Sequence, residues 1–156
     1  MPTPDPVVDD DFMAKALVLA RESVSHDDVP VGCVVVVNGE VVAMGENRRE
    51  VDRDPTAHAE IVALRAAASS LRRWRLDDAV VYATLEPCVM CAGALLAARV
   101  SRLVIGATDE KAGAVGSRYN VLSDPRLLHE VEVTYDVRAE ESAAMLREFF
   151  ESRRAN

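Results

Sequence analysis

The chain has 156 residues, of which 49% are hydrophobic and 28% charged, and its formal net charge is −8. This size and composition indicate one compact globular domain. The longest apolar run, VGCVVVV at 31–37, is far shorter than the roughly 18 residues needed to cross a bilayer, which excludes a membrane-spanning helix. The negative charge, taken alone, speaks against a nucleic-acid partner.

The first part of the chain is acidic and contains three prolines. Residues 1–9 lack the basic start and apolar stretch of a signal peptide. We therefore expect a short disordered leader over 1–9 and a cytoplasmic protein. From residue 10 to 25 apolar side chains recur at helical spacing, which predicts the first helix.

The next segments predict a hairpin and a helix. Residues 31–37 and 41–44 are rich in β-branched side chains and flank Asn38-Gly39-Glu40, a sequence typical of a hairpin turn. A polar loop follows over 47–57, and a helix is predicted over 58–71.

The rest of the chain alternates between strands and helices. The pattern predicts strands over 79–84, 102–107 and 131–135, helices over 87–98 and 138–153, and a glycine-containing loop over 109–120. Alternation of this kind predicts an α/β layered fold with some parallel strand pairing.

Two of the three cysteines form a P-C-x-x-C motif. An odd number of cysteines without a secretion signal favours reduced thiols over disulfides. Cys88 and Cys91 are three residues apart at the predicted start of a helix, so both sulfurs can face one point, and the helix dipole favours the thiolate. One such pair alone is compatible with a thiol-redox site or with half of a structural zinc site.

His58, at the predicted start of another helix, adds a third candidate ligand. Two thiolates and an imidazole suit zinc, and a catalytic zinc site leaves its fourth position to water. Cys33, His26 and His129 stay open as fourth ligands, although Cys33 lies in an apolar strand and the histidines lie in polar surroundings.

Glu60 lies two residues after His58. By itself it could be a first-turn acid that favours the helix dipole. In a zinc site, however, a carboxylate can take the proton of an activated water and pass it on. Only 26 residues separate Glu60 from Pro87, and H-x-E followed by P-C-x-x-C is the signature of the zinc deaminases.

Positive charge is concentrated in one segment. Residues 47–75 carry seven arginines and four acidic side chains, and they include His58 and Glu60. This segment could form a solvated face or a phosphate-binding patch beside the site. Most charged segments of this kind are solvated faces, so that interpretation is favoured on charge alone.

These motifs and their flanking sequences resemble the cytidine-deaminase superfamily and, within it, the bacterial tRNA-specific adenosine deaminases. The similar blocks are VPVGCVVV at 29–36, Asn47-Arg48, DPTAHAEIVALR at 54–65, TLEPCVMCAGAL at 84–95 and GATDEKAGAVGS at 106–117. The resemblance implies a three-layer cytidine-deaminase-like fold with a mixed five-stranded sheet, and a single zinc-dependent deaminase domain over 10–154. It also implies a homodimer with one zinc ion per chain.

The same resemblance implies a reaction and residue roles. The expected reaction is hydrolytic deamination of adenosine to inosine at wobble position 34 of a tRNA, the arginine tRNA. The zinc ligands would be His58, Cys88 and Cys91, and Glu60 would move protons. The expected substrate contacts are Asn47, Pro30, Val31 and Asp109; the structural alternatives are a turn former for Asn47, strand entry for Pro30 and a loop acid for Asp109.

Two other functions stay open. The same chemistry could act on a free base or nucleoside such as guanine, cytosine or cytidine. Alternatively, the chain could be a structural zinc-binding or thiol-redox module that catalyses no hydrolysis. The acidic chain and its ending, FFESRRAN, depart from the more basic end that is typical of the tRNA enzymes.

Overall fold

The computed structural model describes residues 3–127 and 129–155, which form a five-stranded sheet flanked by helices. In chain order the elements are α1 (Pro6–Val24), β1 (Gly32–Val37), β2 (Glu40–Glu46), α2 (Ala59–Leu71), β3 (Ala79–Leu85), α3 (Val89–Ala97), β4 (Arg102–Ala107), a short 3-10 turn (Val121–Ser123), β5 (Glu132–Thr134) and α4 (Ala139–Arg154).

The sheet is mixed, with strand order β2-β1-β3-β4-β5. β1 pairs antiparallel with both β2 and β3, whereas β3, β4 and β5 run parallel. The β1–β2 hairpin turns at Asn38 and Gly39, whose φ angles of 52° and 77° are the positive values that such a tight turn requires. The predicted hairpin and the predicted three-layer mixed fold are confirmed.

Helices cover both faces of the sheet. Along β1, Val34 and Val36 face α1, whereas Cys33 and Val35 belong to the larger core that includes α2 and α3. This alternation is the period of two expected of a strand, with both faces buried because helices cover both.

A buried ion pair fastens α1 to the sheet. The Arg102 guanidinium on β4 donates to both carboxylate oxygens of Asp9, at 2.9 and 2.7 Å, and the Tyr82 hydroxyl donates to the same carboxylate at 2.7 Å. Asp9 and Arg102 are 3% and 6% exposed. Bidentate geometry and a third hydrogen bond make this a fully satisfied buried cluster.

Two helix starts differ from the sequence prediction by two residues or more. α1 begins at Pro6, inside the stretch 1–9 that was expected to be disordered, because the Asp5 carboxylate caps the helix by accepting from the Val7 N–H at 2.9 Å. α3 begins at Val89 rather than at residue 87, because Cys88 keeps an extended backbone.

The fold brings the predicted site residues to one end of the sheet. β3 ends at Leu85, and the amino ends of α2 and α3 meet there. In parallel α/β sheets, ligands bind at this carboxyl end of the strands. Within the described residues, no helix combines the length and apolar character needed to cross a membrane.

Candidate metal centre and active site

His58, Cys88 and Cys91 form a compact triangle of candidate ligands. The His58 Nδ1 lies 3.5 Å from each of the two sulfurs. His58 and Cys88 occupy the cap positions just before α2 and α3, and Cys91 lies buried in the first turn of α3. The three predicted ligands therefore meet at the junction of two helix amino ends.

The triangle has the dimensions of a tetrahedral zinc site. With Zn–S bonds of about 2.3 Å and Zn–N bonds of about 2.0 Å, sulfur and nitrogen ligands lie about 3.5 Å apart. The two Cys–His distances match this value. In the metal-free chain, hydrogen bonds from the Cys91 thiol and from His58 outweigh burial and lower the pKa of Cys88 to about 3. The adjacent Cys88 thiolate raises the pKa of Cys91, so a bound cation would displace its proton.

Glu60 lies beside this triangle in the first turn of α2. Residues two apart on a helix face different directions, but His58 precedes the helix with an extended backbone, so both side chains reach the same pocket. Glu60 is 4% exposed, and burial raises the pKa of its carboxyl above the usual value. A raised pKa makes the carboxylate a stronger proton acceptor, which suits a group that takes a proton and passes it on.

A pocket opens above these residues. It is lined by Val29, Val31, Asn47, Arg49, His58, Ala59, Glu60, Leu85, Glu86, Cys88, Asp109 and Ala112. Of the four predicted substrate contacts, Asn47, Val31 and Asp109 line the pocket. Pro30 is buried next to Val31 and is not among the lining residues.

Asn47 joins the two segments that border the pocket. Its Nδ2 donates to the Val29 carbonyl at 3.1 Å, and its Oδ1 accepts from the Arg49 N–H at 3.3 Å. Each of these groups has one further hydrogen-bonding position. Asn47 therefore has a structural role in the chain and can still bond a ligand in the pocket.

Comparisons with known proteins agree with this geometry. A family model described as MafB19-like deaminase matches residues 8–154. The tRNA-specific adenosine deaminase of Haemophilus influenzae is 46% identical over 147 residues, which cover 94% of this chain and 85% of that protein. The chain belongs to the tRNA-specific adenosine deaminase family. The family predicted from the sequence is confirmed.

Two solved structures extend the likeness. One, from a study of A-to-I editing by tRNA:A34 deaminases at the wobble position of transfer RNA, has a TM-score of 0.84 and 45% identity, and the match covers 86% of this chain and 98% of the other. A guanine deaminase from Nitrosomonas europaea has a TM-score of 0.77 and 28% identity, over 88% and 81% of the two chains.

The side chains left open as a fourth ligand are not part of the ligand group of this deaminase. Cys33 is buried in β1, and His129 Nε2 bonds the Val100 carbonyl at 2.9 Å. His26 bridges two carboxylates, with Nδ1 2.7 Å from Asp28 and Nε2 3.2 Å from Glu46. Across residues 3–127 and 129–155, the grouping that could hold a metal is His58, Cys88 and Cys91.

Glu86, which was not among the predicted site residues, lines the pocket although it is only 2% exposed. The sequence does contain a signal for such a residue: a glutamate at the end of an apolar strand, directly before Pro87 and Cys88. A charged group at such a position is buried only if partners satisfy it, and those partners lie far along the chain.

Proposed function

We propose that this deaminase is a zinc-dependent hydrolase that converts adenosine to inosine at wobble position 34 of a tRNA, with arginine tRNA as its substrate. The observation that carries the proposal is the triangle of His58, Cys88 and Cys91 with buried Glu60 beside it, at the floor of an open pocket. Family membership and the likeness to a tRNA:A34 deaminase support the substrate. Such a substrate would be met in the cytoplasm.

Each residue then has a defined task. When bound by His58, Cys88 and Cys91, zinc supplies a Lewis acid that activates water for attack on C6 of the base. The Glu60 carboxylate would carry both protons of that water in turn, passing one to the ring nitrogen and the other to the amino group, which then leaves as ammonia. Asn47 bonds the purine through its remaining donor and acceptor positions.

Two of the other predicted contacts, Val31 and Asp109, lie on the pocket wall. Val31 would offer an apolar surface to the base, and Asp109 would bond the ribose. The Asp109 Oδ1 accepts from the N–H groups of Lys111 and Ala112 at 3.0 and 3.2 Å, so Oδ2 can accept a ribose hydroxyl. Pro30, being buried, would act by holding Val31 in place.

The arginine-rich segment divides into two parts in the structure. Arg73 and Arg75 pair with Asp78 and Asp77 beyond the far end of α2, about 20 Å from its start. Arg49 and Arg53 are exposed in the loop before α2, and within the described residues neither forms an ion pair. Arg49 also lines the pocket, so its guanidinium group is suited to phosphate contacts there, and Arg53 offers a second exposed guanidinium group in the same loop. Local rather than net charge matters for such contacts.

A free base or nucleoside is the second candidate substrate. The likeness to the Nitrosomonas europaea guanine deaminase favours it, because both chains share the fold over most of their length. The higher identity to the tRNA-specific enzymes and the exposed Arg49 in the pocket lining favour the tRNA.

We also propose the homodimer. An apolar groove lies between α2 and α3, and its lining includes Ile61, Met90 and Trp74, with Trp74 65% exposed. A patch of this kind on a single chain indicates an interface, and a second copy would cover it. In analytical ultracentrifugation, Trp74→Glu should change the mass from that of a dimer to that of a monomer. Val18→Glu, at an exposed valine on α1, should leave the dimer intact. A monomeric wild-type protein would contradict this assignment.

The chemistry is tested by Glu60→Gln. The variant keeps shape but cannot carry a proton, so inosine formation in an adenosine-34 tRNA should fall by about 10²–10⁴-fold or more, while zinc content by elemental analysis stays at the wild-type value. A structural zinc or redox module predicts no effect on function from this change. Retained deamination by the zinc-loaded variant would refute the role of Glu60.

A further inference from the structure

Glu86 occupies the junction between the metal-ligand segment and the pocket wall. It follows the last residue of β3, precedes Cys88 by two positions and lines the pocket. Its backbone is fixed by donation from its N–H to the Ala107 carbonyl at the end of β4, at 2.8 Å. The carboxylate therefore stands on a rigid support beside the candidate zinc ligands.

Four donors from one loop converge on this carboxylate. Oε1 accepts from the Asp109 N–H at 3.0 Å and from the Ser117 hydroxyl at 2.5 Å. Oε2 accepts from the N–H groups of Val115 and Ser117 at 2.9 and 3.1 Å. Hydrogen bonds to an ionised acceptor are about twice as strong as neutral ones. Both ends of the loop 109–117 are thus tied to one side chain.

The loop closes tightly around the carboxylate. A Cβ atom at Gly113 would lie 2.3 Å from the Glu86 carboxyl carbon, so a residue with a side chain could not adopt this path. From outside, the Tyr135 hydroxyl donates to the Val115 carbonyl at 3.1 Å. The path of the loop is therefore defined by its contacts with Glu86.

We propose that Glu86 is a positioning residue for the substrate. By holding the loop 109–117, it keeps Asp109 and Ala112 in place as the pocket wall, at a fixed distance from Cys88. Weakening this anchor would loosen the wall and weaken binding of the nucleotide, and would leave the metal ligands in place. The identity of that nucleotide rests on the proposed function, but the anchoring of the loop does not.

Glu86→Gln tests this role because the amide presents N–H groups where one carboxylate oxygen accepted two donors. Lys111 and Arg118, both exposed, are trypsin sites in and beside the loop. We expect trypsin to cut there roughly tenfold faster in the variant. This factor corresponds to a decrease of about 1.4 kcal/mol in the free energy of opening the loop. The KM for the adenosine-34 tRNA should rise by roughly tenfold, with kcat and zinc content close to wild type.

Ser142→Ala is the matched control. Its hydroxyl, on α4, is buried and donates to the Thr84 carbonyl at 2.5 Å, so the variant also loses a buried hydrogen bond to β3, but away from the loop. It should lower the melting temperature without faster cleavage at Lys111 and Arg118 and without a change in KM.

The outcomes separate this inference from the proposed function. An unchanged KM in Glu86→Gln, or cleavage no faster than in Ser142→Ala, overturns the positioning role. If the wild-type protein does not act on tRNA, the proposed function fails. KM is then measured on whichever free base or nucleoside is turned over, and cleavage is compared as before.

Discussion

Gly45 sets the position of α2, and with it the position of His58 and Glu60. A Cβ atom at Gly45 would lie 2.4 Å from the Ala59 carbonyl oxygen and 2.7 Å from the Ala63 nitrogen, both backbone atoms of α2. Gly45→Ala must open the first distance to the 3.4 Å of ordinary contact, a displacement of about 1 Å. Because Ala59 lies between His58 and Glu60, that displacement moves both relative to Cys88 and Cys91.

The displacement should lower activity in protein that is still folded. A misplacement of about 1 Å in an active site costs about 10²-fold in rate, and overpacking costs about 1–3 kcal/mol of stability. Turnover and zinc affinity would be measured at a temperature well below the melting point of the variant.

Gly32→Ala is the control for this experiment. Its Cβ would lie 2.0 Å from the Ala16 carbonyl oxygen of α1, on the opposite face of the sheet, and α1 contributes no residue to the pocket described above. It should lose stability and keep turnover. Wild-type turnover and zinc affinity in folded Gly45→Ala would refute the reasoning that this contact positions α2.

Three further predictions test other parts of the structure. Cys88→Ser should lose bound zinc, measured by elemental analysis after dialysis, since a hydroxyl rarely replaces a thiolate ligand; full zinc content would contradict the ligand assignment. Arg102→Met leaves the Asp9 carboxylate buried without its cation, so the free energy of unfolding measured in urea should fall by about 3–5 kcal/mol. The double variant Asp9→Leu/Arg102→Met should recover much of this loss. Additive losses in the double variant would argue against coupling of the two residues. His26 is disfavoured in its charged form by burial, but hydrogen bonds to its two carboxylate partners outweigh this and raise its pKa above 6.5. Its stabilising effect is therefore complete below pH 6.5 and lost as pH rises through the raised pKa, so the stability gap between wild type and His26→Gln should shrink with rising pH; a constant gap would contradict this assignment.

Much of the candidate site could be predicted from local sequence. The spacing of Cys88 and Cys91, the pair of His58 and Glu60, and the hairpin residues act over a few positions, where helix and turn geometry are regular. The structure adds that His58 and Cys88 precede their helices. Periodicity places such boundaries only approximately, because a cap residue contributes nothing to the apolar pattern.

Features that depend on distant contacts could not be predicted in this way. The partners of Glu86 lie 23 to 31 residues further along the chain. The arginines of 47–75 are contiguous in the sequence but separated by the length of α2 in space. Asp9 looked like part of a polar leader and is instead buried against Arg102, 93 residues away. Only the folded chain shows which charges are near each other.

The proposed function requires that the zinc chemistry acts on a tRNA. The most direct measurement incubates the zinc-loaded wild-type protein with an adenosine-34 arginine tRNA and, separately, with free cytidine, cytosine, guanine and adenosine. Ammonia release and mass spectrometry of the products identify what is converted. We expect inosine at position 34 of the tRNA and no conversion of the free compounds. Turnover of a free base or nucleoside with an unchanged tRNA would contradict it.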